Sequence, residues 1–250
     1  MFRQVIQVTP TIWCVRRPSY LTCSYIVRSP QGIILVDAGM DSNGNDILHG
    51  LATIGESIAS VRALLLTHWH NDHAAGGAYL QRTCGAPVYY HEADAAYFTR
   101  RTARLGLRGW LSEIIPEWGL LVLFKGLLGE ATPRAVSATH LVQDGQTILD
   151  LFTVLETPGH TAGHVAYYYR PEKVLFAGDA LAIIDEQVHF MARPVTLDTT
   201  QARTSMIKCL QLEIDVVCPG HRQPLTTNVR AACAEMLEYL QQGKPWPLLG

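Results

Sequence analysis

Apolar runs that end in polar residues recur along this chain, and they predict buried strands. Residues 32–36 form one run that stops at Asp37, and residues 61–66 form another that stops at Thr67 and His68. Between these runs, apolar residues recur at the three- and four-residue spacing of an amphipathic helix. They are Ile47, Leu48, Leu51, Ile54 and Ile58. The first half is therefore predicted to contain strand, helix and strand, with polar side chains at both strand ends.

The second half of the chain repeats this order. An apolar strand at 174–176 leads to Asp179, a helix follows, and a strand then leads to His221. The other predicted elements are strands at 11–16, 23–28, 152–156, 165–169 and 215–218, and helices at about 199–212 and 229–240. This weak duplication predicts two similar layers with sheets inside and helices outside, and with the polar strand ends at one edge. We expect one domain over residues 1–250, because no Pro/Gly/Ser-rich linker divides the chain.

The segment between His91 and Leu141 breaks the repeat. Four arginines there fall at helical spacing: Arg100, Arg101, Arg104 and Arg108. A very apolar stretch follows at 110–128, so we expect a helical insert at about 93–135. It is either an outer-surface or dimer-forming helical pair, a lid over a site, or a helix lying at a membrane surface. We favour the lid or the dimer contact.

Composition excludes several classes of protein. The 250 residues are 48% hydrophobic and 17% charged, which excludes a disordered or collagen-like chain. A net charge of −2 disfavours a general nucleic-acid or anionic-membrane binder. The N-terminus lacks the apolar core of a secretory signal, no stretch is predicted to insert stably in a membrane, and the six cysteines form no CxxC. We expect reduced thiols and a cytoplasmic protein.

The number of histidines, ten, is the unusual feature of the composition, and several of them lie directly after the predicted strand at 61–66. His68, His70, Asp72 and His73 lie within six residues. Such side chains are costly to bury unpaired, whereas imidazole nitrogens and carboxylate oxygens suit Zn²⁺ and related metals. We interpret this cluster as part of a metal site.

One short loop cannot supply every ligand, so further ligands are expected from other strand ends. His160, Asp179 and His221 each stand beside a glycine just past an apolar strand. They are the candidates for completing the site.

With these motifs, the chain resembles the metallo-β-lactamase superfamily of hydrolases, whose hallmark is HxHxDH followed by distant His, Asp and His ligands. The matching motifs span Asp37 to His221. The resemblance implies an α/β fold, a four-layer αββα sandwich with the site at one edge. It implies a first metal held by His68, His70 and His160, a second held by Asp72, His73 and His221, and Asp179 as the bridge between them.

Other polar residues near these motifs receive different interpretations. Asp37 matches a family position beside the site; it either supports the ligands or forms the turn that ends its strand. His164 and His91 are interpreted as structural. Cys218 is interpreted as a buried thiol, with a thiolate ligand as the alternative.

The resemblance also implies the chemistry. Two Zn²⁺ per chain, with Mn, Fe or Co as alternatives, would share a bridging hydroxide that attacks the substrate. Asp72 would orient this nucleophile or move its proton, which makes it the candidate catalytic residue.

The substrate is narrowed by comparison within the superfamily. True β-lactamases usually lack an aspartate matching Asp179, nucleases carry basic exosites or extra domains, and glyoxalase-II-like thioesterases bind glutathione through a basic C-terminal region. Lactonases bind acyl chains near an apolar insert. We expect hydrolysis of an ester, lactone or thioester in a small, partly apolar molecule.

The alternatives are a mononuclear-iron persulfide dioxygenase-like oxidoreductase, a β-lactamase-like amide hydrolase and a non-catalytic binding protein. A homodimer through the insert is a further expectation.

Overall fold

The structure is a computed structural model that describes residues 3–98 and 136–248. Most of the insert predicted at 93–135 therefore lies outside the described residues. The arginines at helical spacing and the apolar stretch at 110–128 lie there too, so the lid and dimer interpretations stay predictions.

Within the part of the chain that the structure describes, seven strands form the first sheet, and they lie side by side in chain order. The first four pair antiparallel, and the fourth to the seventh pair parallel. They are β1 (Gln4–Gln7), β2 (Ile12–Arg17), β3 (Thr22–Ser29), β4 (Gly32–Val36), β5 (Val61–Leu65), β6 (Val88–His91) and β7 (His140–Val142).

Five strands of the described residues form the second sheet. They are β8 (Thr147–Ile148), β9 (Phe152–Glu156), β10 (Val165–Tyr169), β11 (Val174–Gly178) and β14 (Val216–Pro219). Their order is β14-β11-β10-β9-β8, in which β11 and β14 pair parallel and the other pairs are antiparallel. A separate hairpin consists of β12 (Ala182–Ile184) and β13 (Gln187–His189).

Six α-helices occur in the described residues. They are α1 (Asn45–Thr53), α2 (Asn71–Ala74), α3 (Gly77–Cys84), α4 (Ala95–Phe98), α5 (Thr199–Leu210) and α6 (Val229–Gln241). Helix α1 ends earlier than the predicted run of apolar residues. Gly55 follows it with φ +74°, and Ile58 begins a separate 3₁₀ turn, because the chain must turn back to enter β5.

Three apolar cores show how the layers stack. Alternate residues of β4 enter two of them: Ile34 joins the core between the sheets, and Leu35 joins the core under α1 and α3. Alternate residues of β11 do the same, with Phe176 between the sheets and Leu175 under α5 and α6. Both faces of these strands are buried, which explains their continuous apolar runs. The predicted αββα sandwich is confirmed.

The predicted repeat is also present in the structure. β4, α1 and β5 form one parallel unit, and β11, α5 and β14 form another. Across residues 3–98 and 136–248, none of the helices combines the length and the apolar character that crossing a bilayer requires.

Candidate metal centre

Loops from both sheets bring polar side chains together at one edge of the sandwich. Asp37 and His68 follow the parallel strands β4 and β5, and Asp179 and His221 follow the parallel strands β11 and β14. Parallel neighbours end at the same edge of a sheet. The fifth contributor, His160, lies in the turn that joins β9 to the antiparallel β10.

Three ligand candidates form a first group. One donor atom from each of His68, His70 and His160 lies within 4.8 Å of the other two. His70 Nδ1 is 2.9 Å from His160 Nε2. Two of the three lie on the loop after β5, and the third comes from the second sheet.

A second group consists of Asp72, His73 and His221. His73 Nε2 lies 3.4 Å from His221 Nε2, and Asp72 Oδ2 lies 3.5 and 3.4 Å from these two nitrogens. Helix α2 presents Asp72 and His73, and the end of β14 presents His221. This group is therefore also shared between the sheets.

Asp179 lies between the two groups. Its Oδ2 is 3.3 Å from His160 Nε2 and 3.3 Å from His221 Nε2. Its Oδ1 is 3.5 Å from His73 Nε2. One carboxylate therefore reaches both sets of donors.

The donor set fits metal ions. Around a tetrahedral ion with bonds of about 2.0–2.1 Å, neighbouring donors lie roughly 3.3–3.4 Å apart. The donor separations given above lie between 2.9 and 3.5 Å, and most of them are close to this value. In addition, His68 Nε2 and Asp179 Oδ1 are buried without a hydrogen-bond partner. Buried polar atoms are costly to leave unpaired, and a cation would satisfy them.

Electrostatics divides the imidazoles into two kinds. Burial lowers the pKa of His68 well below its usual value and that of His70 to about 4. These rings are neutral, as metal ligands must be. Burial acts against charge at His73 too, but Asp72 and Asp179 raise the pKa of His73 to about 10.

The same carboxylate acts on the last ligand candidate. Burial opposes charge on His221, but Asp179 raises the pKa of His221 to about 9. Burial would raise the pKa of Asp179, yet the surrounding imidazoles, His221 first, hold it well below its ordinary value. The carboxylates of Asp72 and Asp179 therefore make the second group a place that favours positive charge.

Asp37 supports two of the candidate ligands. Its Oδ2 lies 3.0 Å from His73 Nδ1, which leaves His73 Nε2 facing the second group. Its Oδ1 accepts from the Thr67 backbone N–H at 2.8 Å, and the Thr67 hydroxyl lies 3.0 Å from His68 Nδ1. Asp37 also has φ +61°, so it forms the turn as well. Both interpretations of this residue have a counterpart in the structure.

His164 contacts a candidate ligand without belonging to either group. The Asp179 backbone N–H donates to His164 Nε2 at 2.9 Å, so Nδ1–H donates to the Thr157 hydroxyl at 2.7 Å. Burial lowers the pKa of His164 to about 3, which keeps this ring neutral. The ring holds the backbone of Asp179, so its structural role is close to the site.

The other polar side chains considered above have structural contacts. His91 Nε2 lies 3.1 Å from Glu156 Oε1, and His91 Nδ1 accepts from the Ala93 N–H. Cys218 is a buried free thiol, its pKa is raised by burial, and it belongs to no metal-binding group of the described residues. The other five cysteines are free as well.

Sequence reasoning missed Asp94 and Thr67. Asp94 falls within the predicted insert, but it lies in a 3₁₀ turn directly after β6 and is fully buried. The available signal was its position, since β6 neighbours β5 in the parallel part of the sheet and an acidic residue just past its end lies at the site edge.

Known proteins resemble this chain both in sequence and in fold. A probable metallo-hydrolase, YflN of Bacillus subtilis (strain 168), is 27% identical over 233 residues, covering 84% of this chain and 83% of the relative. A hydroxyacylglutathione hydrolase of Pectobacterium atrosepticum is 31% identical over 201 residues, covering 79% of this chain and 59% of that enzyme.

Solved structures show the same fold. The metallo-beta-lactamase MIM-2 superposes with a TM-score of 0.66 at 24% identity, covering 94% of this chain and 88% of that one. A metallo-beta-lactamase family protein of Thermus thermophilus gives a TM-score of 0.62 at 23% identity, covering 94% of this chain and 81% of that one.

The family itself follows from the chain's own motifs. The model of the metallo-beta-lactamase superfamily matches residues 21–221. This match runs from just before β3 to the last candidate ligand, His221, and so includes both donor groups. With its αββα fold and its His/Asp groups, this chain belongs to the metallo-beta-lactamase superfamily.

Proposed function

We propose that the chain is a dinuclear metal-dependent hydrolase that cleaves an ester, lactone or thioester bond in a small, partly apolar substrate. The observation that carries the proposal is the position of Asp179, whose Oδ2 lies 3.3 Å from both His160 Nε2 and His221 Nε2. A carboxylate in this position can serve two ions at once. In this proposal two Zn²⁺ are the resident ions, with Mn, Fe or Co as alternatives.

The chain's own residues divide the work. The first ion would be held by His68, His70 and His160, the second by Asp72, His73 and His221, and both by Asp179. Two metal ions bound in this way would supply a water of lowered pKa and would polarise the electrophilic oxygen of a substrate.

Asp72 is the candidate catalytic residue. Its side chain is 29% exposed, whereas His73 beside it is fully buried. This exposure gives its carboxylate access to a substrate, so that it can orient the nucleophile or accept its proton. The buried residues of the site, such as His73, instead keep the ligand side chains in position.

The substrate class rests on three arguments. Asp179 disfavours a β-lactam as the substrate, because true β-lactamases usually lack a matching aspartate. The relatives named hydroxyacylglutathione hydrolase support a thioester, although this chain covers 59% of the first of them. The apolar stretch at 110–128 favours a substrate with an apolar part. We further propose a cytoplasmic location and a homodimer through the insert.

Hydrolysis of three substrates side by side tests the bond class. An acyl-homoserine lactone, lactoylglutathione and nitrocefin present a lactone, a thioester and a β-lactam. We expect turnover of the lactone or the thioester and little of nitrocefin, measured as initial rates with the Zn²⁺-loaded protein. The bond class is wrong if neither acyl substrate is turned over.

Metal analysis and one double variant test the remainder. Two zinc ions per chain support the proposal, whereas a single iron would support a persulfide dioxygenase-like oxidoreductase instead. His68→Ala combined with Asp179→Ala removes donors from both groups, and we expect it to abolish hydrolysis. Unchanged activity in this variant would leave a non-catalytic or unrelated role for the site.

A further inference from the structure

A buried carboxylate that the proposed chemistry does not use joins two loops of the metal centre. Asp94 is fully buried. Its Oδ2 accepts from the Trp69 backbone N–H at 3.3 Å and from the Thr161 hydroxyl at 2.8 Å. Its Oδ1 accepts from the Gly163 backbone N–H at 2.8 Å. A buried carboxylate is costly unless it is hydrogen-bonded, and these three donors offset that cost.

The partners of Asp94 relate it to one metal group. Trp69 lies between His68 and His70, and Thr161 directly follows His160. Asp94 thus contacts the neighbours of all three donors of the first group. Among the described residues, none of its hydrogen bonds reaches the second group.

The second group has a different carboxylate beside it. Asp37 lies 3.0 Å from His73 Nδ1 and hydrogen-bonds to Thr67. It therefore touches the second group directly, and it reaches His68 only through Thr67. Asp94 is the carboxylate that links the two separate loops of the first group.

The packing around Asp94 is too tight for a larger neighbour. A Cβ on Gly163 would lie 2.6 Å from the Asp94 backbone nitrogen and 2.8 Å from its Oδ1. Only glycine allows the loop of His160 to approach Asp94 this closely. The contact between Asp94 and the loop of His160 therefore depends both on the Asp94 carboxylate and on the absence of a side chain at Gly163.

We propose that Asp94 is a positioning residue for the first metal group. It fixes the loop that carries His68 and His70 against the loop that carries His160, so that the three donors converge on one ion. The inference rests on the proposed function, because it requires that this group holds an ion. Partners of this kind, which orient ligands without touching the metal, are worth about 10–100-fold in metal affinity.

The test isolates each group in turn. His221→Ala removes a donor of the second group and leaves the first complete, and His70→Ala does the reverse. Asp94→Asn is added to each background, since asparagine keeps the shape but its NH₂ cannot accept a hydrogen bond. Zn²⁺ affinity is measured by competition with a chromophoric chelator, and the Co²⁺ absorption spectrum reports the donor geometry.

The two backgrounds should respond differently. With His221→Ala, Asp94→Asn should weaken Zn²⁺ binding about 10–100-fold and alter the Co²⁺ spectrum. With His70→Ala, the affinity should stay within about twofold, as expected for positions that share no partner. A general loss of folding would lower both affinities alike.

A milder pair of variants guards against misfolding. Thr161→Val keeps the shape but removes the hydroxyl that donates to Asp94, whereas Thr161→Ser retains it as the matched control. We expect Thr161→Val to weaken the first group selectively and Thr161→Ser to leave it unchanged.

The outcomes separate the inference from the proposed function. Equal effects in both backgrounds, or no effect with His221→Ala, would overturn the role of Asp94 while leaving the metal centre intact. If the unsubstituted chain binds no Zn²⁺, or if neither His70→Ala nor His221→Ala changes its binding, the proposed function fails and the inference falls with it.

Discussion

At the scale of single residues, Gly220 lies directly against two ligand candidates, Asp179 and His73. A Cβ here would overlap Asp179 Oδ1 and would lie 2.7 Å from His73 Cε1. Two hydrogen bonds oppose a shift of the backbone, because the Gly220 N–H donates to the Gly178 carbonyl at 2.7 Å and the Gly220 carbonyl accepts from the Cys23 N–H at 2.8 Å. A larger residue must therefore displace Asp179 or His73.

We expect Gly220→Ala to weaken Zn²⁺ binding by roughly the 10–100-fold that misplaced ligands cost. Competition with a chromophoric chelator measures this. Gly85→Ala is the control: φ is +65° there and nothing lies within 4 Å, so it should cost about 1–2 kcal/mol of stability without affecting the metal. Zn²⁺ affinity of Gly220→Ala equal to that of the unchanged chain would contradict the steric argument.

Residue types and spacing predict which side chains gather at the site, but not what supports them. The four candidate ligands among the six residues from His68 to His73 are dense enough in the chain to indicate a metal site on their own. Asp94 and Thr161 are 67 positions apart, and their hydrogen bond depends on how two sheets meet. The sequence pattern does not show how close Asp94 and Thr161 lie in space, so it assigns Asp94 to the predicted insert.

At the scale of elements, strand β10 presents neighbouring tyrosines to opposite faces. Tyr167 is fully buried between the sheets, and its hydroxyl donates to the Leu66 carbonyl at 2.9 Å, just before the loop of His68. The Tyr168 hydroxyl donates to the Glu213 carbonyl at 2.6 Å near the surface. The same chemical group therefore has different consequences at adjacent positions.

Tyr167→Phe should lower the free energy of unfolding by about 1–3 kcal/mol, because it leaves the buried Leu66 carbonyl without its donor. Tyr168→Phe is the matched control, and we expect a change within about 0.5 kcal/mol, because water can replace its hydroxyl. Urea denaturation of the metal-free proteins measures both. Equal losses in the two variants would show that this hydrogen bond is not what distinguishes them.

Long, buried elements were predictable and short ones were not. The bounds predicted for β4, β9 and β10 are those of the structure, because continuous or β-rich runs mark strands with both faces covered. β8 has only two residues and β1 is partly exposed, so neither leaves a periodic signal. Their pairing depends on neighbouring strands.

At the scale of the whole molecule, the candidate ligands connect the two sheets. The first sheet contributes the loop that carries His68 and His70 and the helix that carries Asp72 and His73. The second contributes His160, Asp179 and His221. An ion in either group would therefore bind both sheets and oppose their separation.

Metal removal should accordingly destabilise the whole fold. Zn²⁺ at 100 times its dissociation constant adds about 2.7 kcal/mol per site, which raises Tm by roughly 5–11 °C in a chain of this size. Thermal unfolding with and without a chelator, followed by Zn²⁺ addition, measures the shift. In the His68→Ala/Asp179→Ala variant the chelator should change Tm little; a similar shift there would place the stabilising ion elsewhere.

The shared donor groups have a consequence for the newly made chain. Each group takes two ligands from the first half of the sequence and one from the second. During synthesis, the first half leaves the ribosome with two thirds of each donor set and no bridging carboxylate. The first group is complete once His160 and Asp179 have been made, whereas the second group is complete only when His221, the last candidate ligand in the chain, has been made and β14 has joined its sheet. A chain that ends before His221 therefore cannot assemble the second group, and a centre of two ions could form only when folding is nearly finished.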